Sequence, residues 1–120
     1  MPKRTPIGQS SAHLGLHDQL PVNPQSTTSR VLLDNPLLRV VNFSFDAGQQ
    51  LTEHSSPRAV VVELLEGRMR FTVEGEPHLM NAGDVIYLAP GARHALDAET
   101  ACRMSLVMID MDLVEETDDE

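Results

Sequence analysis

The most restrictive feature of this sequence is its punctuation. From Ser29 onward, apolar stretches of 5 to 9 residues, rich in Val, Leu, Ile or Phe, are cut at regular intervals by turn residues. "SRVLLD" runs into Asn35-Pro36, "LLRVVNFSF" into Asp46-Ala47-Gly48, and "QQLTEH" into Ser55-Ser56-Pro57. "AVVVELLEG" ends at Gly67, "RMRFTVEG" at Gly75, and "PHLMNAGD" carries Asn81 and Gly83. "VIYLAPGARHALDA" contains a Pro-Gly turn, and "CRMSLVMID" closes the series. No stretch sustains a helical period over about 11 residues, so the pattern predicts strands and an all-β sandwich or barrel.

Alternation within the stretches gives direction. Leu38, Val40, Asn42 and Ser44 share one face of a strand, while Arg39, Val41, Phe43 and Phe45 share the other. "AVVVELL" is apolar at nearly every position, which predicts a strand covered on both faces, by a second β layer or by a second subunit. "VEGEP" around Gly75 reads as a tight connection, because glycine supplies the positive φ such turns need.

At 120 residues the chain is long enough for one domain with its own core. Three segments are expected: a polar, partly extended or disordered stretch over 1–28, a β-barrel over 29–112, and an acidic tail over 113–120. Acidic residues outnumber basic ones 18 to 9, for a net charge of −9, which repels phosphate backbones and anionic membrane surfaces. With one Tyr, three Phe and no Trp, the chain also lacks the aromatic platforms that single-stranded nucleic acid requires. Nucleic acid and membrane are therefore not expected partners. The single cysteine, Cys102, permits no internal disulfide, and no signal peptide or membrane span is read, so the expected location is the cytoplasm.

The glycines and histidines set among these strands carry a resemblance. Gly48, His54 and Gly67 fit a first motif of the form Gly, five residues, His-x-His, three or four residues, Glu, six residues, Gly. Gly83, Gly91 and His94 fit a second, of the form Gly, five residues, Pro-x-Gly, two residues, His, three residues, Asn. The region from about 29 to 112 thus resembles a small single-domain member of the cupin superfamily, which implies a double-stranded β-helix, or jelly-roll barrel. The resemblance also implies a divalent metal (iron, manganese or zinc) held at four positions, here His54, Ser56, Val60 and His94. Serine is a poor ligand and valine is none, so His54 and His94 are the two metal candidates and tight binding is not expected. Ala89 and Ala98 likewise replace the second motif's Pro and Asn.

Neighbouring carboxylates do not restore the donor set. Glu53 adjoins His54 and Glu63 lies three residues past Val60, so alternation turns both outwards. Pro57 interrupts the strand before Arg58, which is expected at the surface. His78 matches no motif position, and His13 and His17, four apart, have no third ligand nearby; all three are expected to be surface residues. The remaining expectation is an apolar pocket around His54 and His94, lined by Ser56, Val60, Met69, Phe71, Tyr87, Met104 and Met108.

Three functions stay open: a module that binds or senses a small-molecule ligand, a metal-dependent dioxygenase or isomerase, and a dimerising scaffold. A catalytic histidine acting without metal is also compatible with the residues. A homodimer is expected from the doubly covered "AVVVELL".

Overall fold

The computed structural model describes residues 4–113. The acidic stretch expected over 113–120 lies, from residue 114 onward, outside the described residues, as do residues 1–3.

Among the described residues, nine strands follow one another: β1 (Thr27–Asp34), β2 (Leu38–Phe45), β3 (Gln50–His54), β4 (Ala59–Glu66), β5 (Arg68–Val73), β6 (Glu76–Asn81), β7 (Val85–Leu88), β8 (His94–Ala98) and β9 (Cys102–Ile109). They form two antiparallel sheets. One has five strands in the order β1-β2-β9-β4-β7, and the other has four in the order β3-β8-β5-β6. The all-β class expected from the punctuation, and the jelly roll implied by the family resemblance, are observed.

Two turns show why the chain folds at these points. Between Val73 and Glu76, which pair across the β5–β6 hairpin, Glu74 and Gly75 both take positive φ, at 48° and 81°. A two-residue turn with positive φ at both positions matches the natural twist of a hairpin. Gly67 separates β4 from β5 and so joins the five-stranded sheet to the four-stranded one. Its φ is 88°, and a Cβ there would be driven into the backbone oxygen of Ala101. Only glycine satisfies both demands.

The core lies between the sheets. β4 and β9 contribute Val60, Val62, Leu64, Cys102 and Met104, and the facing sheet contributes Met69, Phe71 and Leu96. Phe45 and Phe71 are buried almost completely. Each such side chain contributes about 1.5–3 kcal/mol on leaving water.

The segment before β1 is ordered over its described part and crosses the outer face of the five-stranded sheet as a strap. It contains one helical turn, α1 (Leu16–Gln19), that buries none of its residues. The strap is fastened by polar contacts instead. Ser44 Oγ and Arg103 Nη1 both donate to the Leu20 carbonyl, each at 2.7 Å. The Thr5 amide donates to the Asp34 carbonyl at 2.9 Å.

Beyond the strap, the outer face of the five-stranded sheet carries an apolar row, with exposed Glu63 in the row beside it. Val40, Val107, Val61 and Tyr87 align across β2, β9, β4 and β7 on the side away from the core. Tyr87 is 62% exposed, and nearby Val85 58%. The outer face of the other sheet is polar, with Glu99 bridging Arg68 and Arg70.

Candidate functional site

One end of the space between the sheets stays open as a cavity of about 80 Å³. Its wall on the five-stranded side is Phe43, Val60, Val62, Met104, Leu106 and Met108, and on the other side Phe71, Leu96 and the two histidines face it. Among the described residues, His54, His94 and Ser56 are the only polar side chains in the lining, which holds no Asp, Glu, Lys or Arg.

His54 reaches this cavity because β3 is irregular. Leu51 pairs with Leu96, and both line the cavity. Strict alternation from Leu51 would send Glu53 inwards and His54 outwards. The β3–β8 register instead shifts between Leu51 and His54, so three steps along β3 match two along β8 and His54 faces His94. A bulge of this kind re-aims the side chains that follow it. Glu53 is left exposed on the outside.

The two rings are close, with centroids 4.3 Å apart and planes inclined by 59°. His94 also stacks on Phe71, at 5.8 Å and 8°. His54 Nδ1 lies 2.8 Å from the Thr52 carbonyl oxygen, and His94 Nδ1 lies 3.0 Å from that of Ala92. A carbonyl oxygen only accepts, so each Nδ1 is a donor and, in the neutral ring, each Nε2 carries a bare lone pair. Burial lowers the pKa of His94 below its ordinary value; the bond to Ala92 opposes the shift and the adjacent His54 adds to it. His94 is thereby held in its neutral form at neutral pH.

Ser56 belongs to the loop after β3. Its hydroxyl accepts from the Arg58 amide at 3.2 Å, and its carbonyl accepts from the Gly91 amide at 2.8 Å, which ties the loops carrying His54 and His94 together. Arg58 lines a separate surface hollow with Asp110 and Asp112. His78 and Glu63 are exposed, and so are His13 and His17 on the strap.

Of the expected lining, Ser56, Val60, Phe71, Met104 and Met108 border the cavity, and two residues do not. Tyr87 pairs with Val61 on the outer face of β7, while its neighbour Leu88 pairs with Val60 and points inwards. "VIYL" is apolar at every position, so its inward face could not be read from alternation. Met69 is fully buried, but it lies four residues along β5 from Val73, the partner of His94. That places it roughly 13 Å deeper, past the floor of the cavity. Phe43, Leu51, Leu88 and Leu96 line the cavity without having been singled out. Leu96 was within reach, since it shares parity with His94.

A wider cleft of about 360 Å³ opens between the strap and the outer face, bordered by His13, Leu16, His17, Asn42, Leu65 and Arg103, among others. Arg103 there is committed to Glu66 at 2.7 Å and to the Leu20 carbonyl. It fastens the strap.

The geometry matches a known pattern. The family model described as "Cupin domain" fits residues 41–110. The chain belongs to the cupin family. Among solved structures, this cupin is similar to a conserved protein of unknown function from Streptococcus pyogenes, with 29% identity, a TM-score of 0.76, and 91% of this chain and 92% of that one covered. It is also similar to a cupin 2 conserved barrel domain protein from Leptotrichia buccalis, with 26% identity, a TM-score of 0.75, and 81% and 47% coverage. Salicylate 1,2-dioxygenase from Pseudoaminobacter salicylatoxidans, in a mutant form, shares the fold at 19% identity and a TM-score of 0.67, over 78% of this chain and 30% of that one. No curated protein matches the sequence at a significant level.

The metal that the family implies does not fit this donor set. Among the described residues, no three His, Cys, Asp or Glu side chains are placed to hold an ion. The two imidazoles face Val60, a hydrocarbon where a carboxylate would be needed, and Glu53 is turned away by the β3 bulge. A catalytic site wants about three protein ligands, and hard divalent ions want oxygen donors. Among the described residues, no helix is long and apolar enough to cross a membrane.

Proposed function

We propose that this cupin binds or senses a small, largely apolar molecule in the barrel cavity, and that a metal ion takes no part in the binding. The observation that carries this reading is the lining: a hydrocarbon wall on which, among the described residues, two imidazoles and one hydroxyl are the only polar side chains. Concave, mostly apolar sites with a few convergent polar groups are what small-ligand pockets look like. The test is to strip the protein with a strong chelator and titrate it with compact apolar fragments, following amide resonances. Binding that persists, centred on His54, His94 and Ala95, supports the reading. Binding that disappears on stripping and returns with iron, manganese or zinc overturns it in favour of a metal-dependent enzyme.

A second proposal concerns assembly. We infer that two copies pack through the row Val40, Val107, Val61 and Tyr87. These four side chains carry no charge, so the row can face its own copy about a two-fold axis that keeps the two neighbouring Glu63 carboxylates apart, even in a chain of net charge −9. Light scattering is expected to report twice the 13.2 kDa chain mass, and Tyr87→Asp is expected to halve it. A monomer at working concentration overturns the proposal.

A further inference from the structure

The polar groups of the cavity specify a particular kind of ligand head. Both Nδ1 atoms are spent on backbone carbonyls, so Nε2 is the nitrogen each lining imidazole has left to offer a ligand, on rings whose centroids are 4.3 Å apart. Two acceptors this close call for two donors on one head group. The third polar group is complementary. Ser56 Oγ already accepts from the Arg58 amide, which leaves its O–H free to donate into the cavity it lines.

Charge and size narrow the choice further. Among the described residues the lining holds no Lys or Arg, so with both imidazoles neutral a carboxylate head would meet two lone pairs and no cation to offset its desolvation. The chain's net charge of −9 adds to that exclusion at longer range. The space of about 80 Å³ suits several waters, at roughly 10–15 Å³ of such space for one water. The apolar body must therefore be compact, with a handful of heavy atoms.

We infer that the cavity selects neutral ligands with a paired-donor head on a compact aliphatic body, of which a short branched primary carboxamide is the best match, and rejects the corresponding carboxylates. The amide N–H groups meet His54 Nε2 and His94 Nε2, the amide oxygen accepts from Ser56, and the branched body packs among Val60, Phe71 and Leu96. This rests on the reading of the cavity as a ligand site.

Three nearly isosteric probes test it: isobutyramide, isobutyrate and 3-methylbutan-2-one, each titrated into the full chain at neutral pH with amide resonances followed. The amide has paired donors, the acid has the same shape with a charge, and the ketone keeps the oxygen without the donors. The amide is expected to bind about tenfold or more tightly than either, the scale of one or two hydrogen bonds to otherwise unpaired acceptors. Its shifts are expected at His54, His94 and Ala95. His94→Leu and His54→Leu, the second at the exposed mouth where folding is not at stake, are each expected to narrow the gap between the amide and the ketone, and the double variant to close it. Isobutyrate or the ketone binding as tightly as the amide would leave a ligand cavity but overturn its selectivity. If none of the three moves the cavity resonances, the ligand-site reading falls as well.

Discussion

The two sheets of this barrel divide the work differently. The five-stranded sheet is hydrocarbon where it faces the cavity and, beyond the strap, hydrocarbon again along one outer row, where Val40, Val107, Val61 and Tyr87 align. The four-stranded sheet supplies both imidazoles to the cavity and a charged outer surface around Arg68, Arg70 and Glu99. One sheet is therefore a wall, and the other holds the polar chemistry. Packing and recognition can vary separately when they rest on different layers, because a change on one outer face does not alter the inward residues of the other.

The largest effect that would probe this division is removal of a core aromatic from each sheet. Phe45→Ala and Phe71→Ala are both expected to destabilise the fold by about 3–5 kcal/mol in urea denaturation. Only Phe71, which stacks on His94, is expected to alter the titration of that histidine as followed by NMR. Equal disturbance of His94 by both variants would show that the sheets are not independent.

Gly67→Ala attacks the joint between the layers. Positive φ and the collision with the Ala101 oxygen are expected to lower stability by about 1–3 kcal/mol or more. A loss below about half a kcal/mol would mean that the β4–β5 connection bends without resistance.

A pH series separates the layers more gently. The folded-state pKa of His94 is lowered, so as pH falls the unfolded chain takes up this proton first. The stability gained by keeping His94 neutral is complete above its ordinary value of 6.5 and is lost as pH falls through the lowered one. The wild type is accordingly expected to lose more stability than His94→Gln between neutral and mildly acidic pH. Parallel curves for the two proteins would remove the burial argument.

The smallest effect belongs to the charged outer face. Arg70 and Glu99 lie 3.7 Å apart at the surface, with the arginine side chain 57% exposed. Arg70→Ala is expected to change stability by less than about 1 kcal/mol, and the change should shrink with added salt. A larger loss would mark this surface as structural.

These contrasts explain what the sequence disclosed. Strands bounded by Gly48, Gly67, Gly75 and Gly83 were legible because turn chemistry is local. The faces of β2 were legible too, since Arg39, Asn42 and Ser44 break its apolar run. The histidine pair was visible through the motifs that carry His54 and His94. Tyr87 was misplaced because an unbroken apolar tetrapeptide has no readable inward face, and Met69 because parity says nothing about depth. The strap was invisible as structure, because it is held by backbone carbonyls such as that of Leu20, which leave no residue pattern.

The extra residue in β3 sets the charge state of the pocket. Because the register slips there, an imidazole faces His94 and a carboxylate looks into solvent. Shortening this edge strand by His54 alone would turn Glu53 inwards beside His94, replacing an imidazole with a carboxylate. A pocket headed by two imidazoles and one headed by a carboxylate are thus separated by one residue of strand length, with no change in the hydrocarbon wall opposite.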